Sequence, residues 1–594
     1  MRNISLFIVS VLLMSLCSCK GAGEDILVEN DGDNAKVTVT GRSRYLMLPI
    51  QESSWEVRVR AEEAAADVPA MDIRLANDSI DYWLPFPLPE GRGPKVVRFS
   101  GLWEGAVAWK SLYCTDKPEL PADRYRPVYH HSPRYGWMND PNGMFFKDGR
   151  YHLYYQYNPY GCTWGNMHWG HSSSEDLLHW ESHPVALQRD TLGHIYSGSA
   201  VVDYDNVSGF GEGAVVAFYT AHSEAGESQC LAWSNDNGLT FTKYSGNPVV
   251  VSSDGIRDFR DPKVFRYGDK WVMVLAANYE VRFYSSANLR DWEYTGCFGK
   301  GYGAQPSLWE CPDLVQLPVD DGHNGKKWML IVNVNPGGVF GGSATEYFIG
   351  EFDGKTFICD TPAQQTKWLD YGKDHYAAVT FSGTPDRTIA MAWMSNWQYA
   401  DKVPSAPFRS ANALPRELKL FSCNGQVYAS QTPVPELSSL ISNSYTADGF
   451  SLQAGQNNKA SLLDKGSCKL SFNVRLEDKS CLEICLVNLS GESVSLIMDG
   501  TKLSLDRSHS GMMTDRDDFS QVVSAPLDLC FAFDGYDMDI YLDRASIEVF
   551  VDGGKLSITE LLFPTEPFKT LEFIGHKGNA HIGDITVREL GLEP

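Results

Sequence analysis

Residues 137–155 read WMNDPNGMFFKDGRYHLYY, in which an acid beside a proline leads into an apolar strand, a polar turn and a second strand. The same layout returns at 260–274 as RDPKVFRYGDKWVMV, and again from 309 to 331, where WECPDLV leads through a longer polar turn to WMLI. Segments that repeat in sequence form equivalent units in space, so we expect their acids to meet at one place. The three acids are Asp140, Asp261 and Glu310.

A second repeated unit, a strand followed by a polar turn and an aromatic residue, runs through the same region. Its closing aromatics lie 61, 51 and 65 residues apart, at Trp180, Phe241, Trp292 and Phe357. This spacing suits a four-stranded β unit with its loops, and radial repetition of such units gives a propeller. A fifth unit begins near residue 375. We therefore predict an all-β, five-bladed propeller over 126–430, whose innermost strands begin with the three acids.

The residues on either side of the propeller predict two further β-domains. After residue 431 the pattern changes to short alternating strands with Asp-Gly turns, such as IEVFVDGG at 547–554, which indicates a β-sandwich over 431–594. Residues 19–125 also contain short strand-like runs and end in a proline-rich linker. They predict a small accessory β-domain.

The acid-bearing segments resemble glycoside hydrolase family 32, the β-fructosidases that include invertases, inulinases and levanases. The resemblance rests on WMNDPNG at 137–143, RDP at 260–262 and ECPD at 310–313. Further matches follow in the family's order: QYNP at 156–159, WGNMHWGH at 164–171, YSGS at 196–199, DHYA at 374–377, WMSNW at 393–397 and LPREL at 414–418. The resemblance covers about 126–594, and the segment before about 120 lies outside it.

The resemblance implies that β-fructofuranosidic bonds are cleaved with retention, through a covalent fructosyl-enzyme intermediate. Such a reaction needs one ionised and one protonated carboxyl group about 5–5.5 Å apart. By resemblance, Asp140 is the nucleophile and Glu310 the general acid/base, while Asp261 stabilises the transition state by hydrogen bonds to sugar hydroxyls. Arg260 would lie near the acids and help to set which of them is protonated.

Further family positions are expected to bind the fructose unit that is cleaved: Asn139, Gln156, Trp164, Tyr196, Ser197, Arg260 and Trp393. The resemblance implies no cofactor. The sequence has no CxxC or HExxH spacing, so we predict no metal site. Taken alone, Asp140 in DPNG reads as a turn residue, and only its place in the repeat favours a catalytic role.

The formal net charge of −24 argues against nucleic acid and anionic membrane surfaces as partners. The expected partner is a fructan or fructo-oligosaccharide substrate, and the sequence predicts no oligomeric state. Polymers are favoured over sucrose alone. The catalytic segments distinguish neither β-2,1 from β-2,6 linkages nor exo from endo attack; exo attack is our expectation, with an endo-acting levanase as the alternative.

Two other functions compete with this interpretation. A fructan-binding lipoprotein without catalysis would not need all three acids, so their presence disfavours it. An arabinan-cleaving propeller of a related family is disfavoured by the predicted sandwich and by the segment at 137–143.

The N-terminus predicts export. Arg2 precedes a mostly apolar run over 4–16, which is shorter than the ~20 residues of a membrane span and typical of a signal peptide over 1–18. LCSC at 16–19 resembles a bacterial lipobox, with Cys19 as the lipidated residue. We expect an exported protein that is lipid-anchored at the outer membrane, at the cell surface or in the periplasm, its lipid being its sole contact with the membrane. An ordinary signal peptide is the alternative.

Overall fold

The computed structural model describes residues 18–21, 24–62, 69–91, 93–463, 466–527 and 535–592. The predicted signal peptide lies outside these residues apart from its last position. The chain divides into two compact units, Met1–Pro121 with Pro159–Cys162, and Ala122–Asn158 with Thr163–Pro594. In the ranges given above, no helix is long and apolar enough to cross a bilayer.

The first unit contains two antiparallel sheets and one short helix. Its elements are β1 Ser18–Gly21, β2 Glu24–Asp31, β3 Asn34–Thr40, β4 Tyr45–Ile50, β5 Val57–Ala61, β6 Met71–Ile73, β7 Tyr82–Pro87, β8 Lys95–Ser100, α1 Ala108–Ser111 and β9 Tyr113–Thr115. The larger sheet has the order β1-β2-β3-β8-β5-β6, and the smaller has the order β7-β4-β9. Alternate valines of the larger sheet are buried, which fits a sheet with one face on a core. They are Val37, Val39, Val57, Val59 and Val97.

The second unit begins with five sheets in chain order, and each is a blade. Blade one is β10 Gly136–Lys147, β11 Arg150–Asn158, β12 His168–Ser174 and β13 Glu181–Leu187. Blade two is β14 His194–Asp203, β15 Ala214–Ser223, β16 Gly226–Ser234, β17 Thr242–Lys243 and β18 Val250–Val251. Blade three is β19 Phe259–Tyr267, β20 Lys270–Ala277, β21 Glu280–Ser286 and β22 Glu293–Phe298.

Blade four is β23 Trp309–Pro318, β24 Lys326–Val334, β25 Ala344–Phe352, β26 Phe357–Cys359 and β27 Lys367–Trp368, with a 3₁₀ helix at Asp320–Gly322. Blade five is β28 Tyr376–Thr380, β29 Ile389–Trp393, β31 Arg416–Cys423 and β32 Gln426–Pro433. A second 3₁₀ helix, Ala400–Lys402, precedes β30 Phe408–Arg409, which pairs with β10 of blade one.

The first strands of the five blades form a ring. β10 contacts β14, β14 contacts β19, β19 contacts β23, β23 contacts β28, and β28 contacts β10. These are therefore the innermost strands around a central channel, and the parallel pairing of β30 with β10 joins the last part of the propeller to the first. The predicted five-bladed propeller is confirmed.

Each innermost strand carries a β-bulge at the same point of its ladder. There, two residues of the first strand lie opposite one residue of the second. The bulged pairs are Asn139-Asp140, Tyr196-Ser197, Asp261-Pro262, Cys311-Pro312 and Ala377-Ala378. A bulge interrupts the alternation of side chains and re-aims them, and bulges are common beside active sites.

The three acids do not occupy strictly equivalent positions of these bulges, which corrects the premise that led us to place them together. Asp140 is the second bulged residue of β10, Asp261 is the first of β19, and Glu310 directly precedes the bulge of β23. Asp261 and Cys311 have positive φ values of 66° and 43°. The left-handed backbone at these two residues changes the direction of the chain. The side chains of the three acids can therefore converge although they differ by one or two positions in register.

The remaining strands form a β-sandwich of two antiparallel sheets, as predicted. Its elements are a 3₁₀ helix at Pro435–Leu440, β33 Ile441–Ala447, β34 Phe450–Gln453, β35 Asn457–Ser461, β36 Cys468–Leu476, β37 Cys481–Val487, β38 Ser493–Met498, β39 Lys502–His509, α2 Asp517–Ser520, β40 Val523–Pro526, β41 Tyr536–Asp543, β42 Ser546–Val551, β43 Leu556–Leu561, β44 Thr570–Lys577, β45 Asn579–Ile582 and β46 Ile585–Leu590. One sheet contains β33, β34, β36, β41 to β43, β45 and β46, and the other contains β35, β37 to β40 and β44. Apolar residues of both sheets share one buried cluster.

Two buried arginines connect blade five and its approach to the sandwich. Arg416 of β31 donates hydrogen bonds to Asp370, at 2.8 Å, and to Glu548 of β42. Arg507 of β39 donates to Asp374 at 2.6 Å. Removing one partner of such a buried pair leaves an uncompensated charge, which typically costs about 3–5 kcal/mol. Because Asp370 and Asp374 directly precede β28, these contacts fix the start of that innermost strand.

Candidate active site

The bulges of β10, β19 and β23 bring the three carboxyl groups together around one thiol. The Sγ of Cys311 lies 3.2 Å from Oδ2 of Asp140 and 3.6 Å from Oδ2 of Asp261. The backbone N–H of Cys311 also donates to Oδ2 of Asp261 at 2.8 Å. Glu310 precedes this cysteine on the same strand. The structure thus brings the three acids into one cluster at one end of the innermost strands.

Asp140 is surrounded by hydrogen-bond donors. The hydroxyl of Ser197 donates to its Oδ2 at 2.7 Å, and the amide of Asn139 donates to its Oδ1 at 3.0 Å. Asn139 is oriented in turn by Trp137, whose Nε1 donates to its Oδ1 at 2.8 Å. An ionised carboxylate is an acceptor only, so a set of donors on both oxygens matches its hydrogen-bonding capacity.

Cys311 adds a third donor to this set. Burial raises the pKa of its thiol well above the usual range, and the nearby charges of Asp140 and Asp261 add to the effect. The thiol therefore stays protonated and can donate to Asp140. The side chain is buried and lies between two of the acids.

Glu310 has a different environment. Burial raises the pKa of Glu310, the charge of Arg260 and a hydrogen bond from Tyr376 oppose that rise, and the charge of Asp140 adds to it. Arg260 donates to Oε1 of Glu310 at 2.9 Å, and the hydroxyl of Tyr376 donates to Oε2. The net direction is upward, so Glu310 keeps its proton to a higher pH than an ordinary glutamate does.

Arg260 is held in place from its other side. Glu227 of β16 accepts from its Nε at 2.9 Å and lies 2.7 Å from its Nη2. Although burial opposes it, the charges of Glu310 and Glu227 raise the pKa of Arg260. The guanidinium therefore remains a fixed positive charge beside Glu310.

Asp261 has a larger upward shift of its pKa than Glu310 has. Burial raises the pKa of Asp261 well above its usual range; the charge of Glu310 adds to the rise, Arg260 opposes it, and Asp140 adds further. Like charges at this spacing in a buried site cannot all ionise together. Burial therefore makes Glu310 and Asp261 hold a proton more readily than ordinary carboxyl groups do.

The predicted sugar-binding residues divide by exposure. Gln156 of β11 is buried opposite the bulge of β10, and its Nε2 has no hydrogen-bond partner within the described part of the chain. Trp164 is 45% exposed, and its ring contacts those of Tyr196 and Trp397 at centroid distances of 6.1 and 6.4 Å. These positions suit a sugar pocket in which Gln156 lies at the polar base and Trp164 at the aromatic rim.

Trp393 corrects one expectation. Its exposed fraction is 0%, and its ring packs on Trp397 with the centroids 4.8 Å apart. A ring with no accessible surface cannot touch a sugar, so Trp393 supports Trp397 and does not itself bind substrate in this structure.

Comparison with known proteins identifies the family. Residues 130–433 match the glycosyl hydrolases family 32 N-terminal domain, and residues 436–589 match the glycosyl hydrolases family 32 C-terminal domain. The chain belongs to glycosyl hydrolase family 32. It is a glycosidase of the β-fructosidase type. Residues 32–129 match a domain of unknown function, DUF4980.

Relatives of this family 32 enzyme include characterised fructan hydrolases. A levanase of Bacillus subtilis is 43% identical over 480 residues, covering 78% of this chain and 70% of the relative. An extracellular exo-inulinase of Aspergillus awamori is 38% identical over 487 residues, covering 74% and 90%. The crystal structure of the Aspergillus awamori exo-inulinase aligns with a TM-score of 0.73 and 34% identity, over 79% of this chain and 98% of that one.

A second solved structure, a β-fructofuranosidase of Schwanniomyces occidentalis complexed with fructosyl-erythritol, has a TM-score of 0.72 and 31% identity and covers 79% of this chain and 98% of that one. The resemblance to family 32 and the prediction of a β-fructosidase are therefore confirmed.

Sequence reasoning missed several residues of this family 32 site. Tyr376 and Trp397 lay inside the matched segments at 374–377 and 393–397, yet nothing singled them out as partners of Glu310 and Trp164. Glu227 had no sequence signal at all, because it reaches Arg260 only through the contact between blades two and three.

Proposed function

We propose that this β-fructosidase cleaves fructans with retention of configuration, through a covalent intermediate on Asp140. The observation that supports it most strongly is the contrast between two carboxyl groups of one cluster. Asp140 accepts hydrogen bonds from Ser197, Asn139 and the thiol of Cys311, as an ionised nucleophile should. Glu310 is partly buried and has a raised pKa, as a general acid should.

In the first step, Glu310 gives its proton to the oxygen that links the fructosyl unit to its leaving group, and Asp140 attacks the anomeric carbon. Positive charge develops on the sugar ring as the bond breaks. Asp261 accepts from the backbone N–H of Cys311, the residue whose thiol contacts Asp140, and from there it would hydrogen-bond ring hydroxyls and stabilise that charge.

In the second step, Glu310 acts as a base and removes a proton from the water that attacks the intermediate. Its two partners now help, because Arg260 and Tyr376 both stabilise the ionised carboxylate. The same residue must be an acid and then a base. Burial raises the pKa of Glu310, and the charge of Arg260 and the hydroxyl of Tyr376 limit that rise, so the carboxyl group can serve in both states.

We further propose that attack occurs at chain ends. Trp164 from blade one, Tyr196 from blade two and Trp397 from blade five are in ring contact beside the nucleophile. Trp397 is backed by Trp137 and Trp393, and its backbone N–H donates to Oγ of Ser343 at 3.3 Å. This aromatic wall would block a chain that continued past the cleaved fructose. The relatives named exo-inulinase agree with this mode.

Product analysis tests the mode and the activity together. Purified protein is incubated with levan, inulin and sucrose, and early products are separated. Exo attack releases only fructose from the two polymers from the start, and equal amounts of glucose and fructose from sucrose. A ladder of oligosaccharides would replace the proposal by the endo-acting alternative, and absence of any product would favour a binding protein without catalysis. The relative rates on levan and inulin report the preference between β-2,6 and β-2,1 linkages.

The electrostatics of Glu310 predict the direction of a pH effect. Activity should fall as Glu310 loses its proton, which gives the pH–rate profile an alkaline limb. Arg260 lowers the pKa of Glu310, so replacing it by methionine should raise that pKa and move the alkaline limb to higher pH.

Tyr376→Phe provides the matched variant for this pH prediction. It removes a hydrogen bond that also lowers the pKa of Glu310 but changes no charge, so its alkaline limb should move in the same direction. The measurement is kcat/KM against pH with sucrose. An alkaline limb that stays in place or moves down in both variants would contradict the assignment of Glu310 to that limb.

We also propose that the protein is exported and anchored through lipid on Cys19. The relative named extracellular exo-inulinase supports export. Cys19→Ala should move the protein from the membrane fraction to the soluble fraction, measured by immunoblotting after cell fractionation. Cys17→Ala is the matched control and should leave the protein in the membrane. Retention of the Cys19 variant in the membrane would remove the lipid anchor from the proposal.

A further inference from the structure

Tryptophans with a widely exposed ring occur at two places in the described residues. Trp164, at 45% exposure, belongs to the candidate active site. The other two, Trp55 and Trp103, each have 50% of their surface exposed and both lie in the first unit, the region that matches a domain of unknown function. Large aromatic side chains left in water often mark a binding surface.

Trp55 and Trp103 lie at the same end of one sheet. Trp55 precedes β5 and Trp103 follows β8, and these strands pair antiparallel with Arg58 opposite Ser100. The start of β5 therefore lies beside the end of β8. The indole Nε1 of Trp55 donates to the carbonyl oxygen of Gly101 at 2.7 Å, which places it against the loop that carries Trp103.

Both rings are fixed before any ligand arrives. The Nε1 of Trp103 donates to Oδ1 of Asn77 at 2.6 Å, and the backbone of Asn77 is held by Gln51 at 2.9 Å. Gly105 lets the ring of Trp103 lie against its own loop, because a Cβ there would come within 2.2 Å of the ring. A preorganised ring loses little freedom on binding, which favours affinity.

We propose that Trp55 and Trp103 form a carbohydrate-binding platform on the first unit that holds the fructan polymer. The flat face of an indole packs on the C–H groups of a sugar, and its fixed geometry suits a repeating chain. The choice of fructan among uncharged polysaccharides rests on the proposed function of the enzyme.

The surroundings of the platform favour an uncharged polar ligand. Exposed neighbours in the two loops are Ser53, Glu56 and Glu104, so the rings are separate apolar faces set among polar groups. A protein partner would need a continuous apolar centre, which this surface lacks. The glutamates, on a chain of net charge −24, disfavour nucleic acid and anionic lipid.

Affinity electrophoresis tests the platform without turnover. The parent is the full chain with Asp140→Asn, run in native gels that contain levan or inulin. We expect both polymers, or the preferred one, to retard it. Adding Trp55→Ala and Trp103→Ala should weaken binding roughly tenfold, since both stacking faces are lost. Retardation of that variant equal to the parent's would overturn the proposal.

Two controls separate stacking from folding. Trp55→Phe with Trp103→Phe keeps two flat rings and loses both indole hydrogen bonds, so it should retain most of the retardation if stacking matters. If the Phe variant loses binding as fully as the Ala variant, the rings serve the fold and the platform is refuted. Tyr204→Ala removes a 64% exposed ring at the far end of β14 and should change nothing.

Hydrolysis is measured separately with Asp140 restored. The Trp55→Ala, Trp103→Ala variant should hydrolyse sucrose at the rate of the unsubstituted enzyme and show a raised KM only on the polymer. If the unsubstituted enzyme hydrolyses no fructoside but is still retarded by polymer, the proposed function fails and the platform stands. If it hydrolyses fructosides and neither polymer retards it, the platform fails alone.

Discussion

Asp140→Asn is expected to lower the turnover of sucrose, inulin and levan on the order of 10⁴-fold or more, as removal of a covalent nucleophile does in other enzymes. The asparagine amide cannot form the ester with fructose. It has nearly the volume of the native side chain, and its carbonyl oxygen can still accept from Ser197 or Asn139. The fold and the binding of substrate should therefore survive.

The measurement is kcat with each substrate, together with the thermal midpoint of unfolding. Asp148→Asn is the matched control, since Asp148 lies in the turn of the same blade and its side chain is 70% exposed. That variant should keep full activity. An Asp140→Asn enzyme within tenfold of the parent, with its midpoint unchanged, would show that another group is the nucleophile.

The propeller could be predicted from sequence because its units repeat. Each acid-bearing segment supplies an acid, a proline and two strands in the same order, and that order alone predicts innermost strands that share one end of the channel. The position of each acid relative to the bulge of its strand could not be predicted. It depends on the bulge that each innermost strand carries near the acids and on left-handed backbone at Asp261 and Cys311, and no sequence pattern marks either feature.

The parts of the site that sequence did not reveal are the ones built from single contacts between distant segments. Glu227 fixes Arg260 from another blade, and Tyr376 reaches Glu310 from a strand whose start is held by the sandwich through Arg507 and Asp374. No periodicity marks such residues. Trp393 shows the opposite error, since a matched motif predicted sugar contact and the ring is buried behind Trp397.

Glu310→Gln should separate the two chemical steps. Glutamine resembles the protonated acid in shape and charge, so the packing against Arg260 and Tyr376 is kept. It has no acidic proton to give. Turnover of sucrose and fructans should fall about 10²–10⁴-fold, the usual contribution of general acid catalysis. Glu351→Gln changes an exposed side chain of the same blade; it is the control and should leave turnover unchanged.

An aryl fructoside with a good leaving group distinguishes an acid from a residue that only binds. Its departure needs no proton, so the Glu310→Gln enzyme should still release the aryl group at nearly the parent's rate in the first turnover. The second step still needs a base, which glutamine cannot supply. We therefore expect a burst of aryl product equal to the enzyme concentration, then slow turnover, with a fructosyl adduct on Asp140 visible by mass spectrometry. Equal losses on natural and activated substrates, with no burst, would contradict the role of Glu310 as the general acid, because only the natural leaving group depends on its proton.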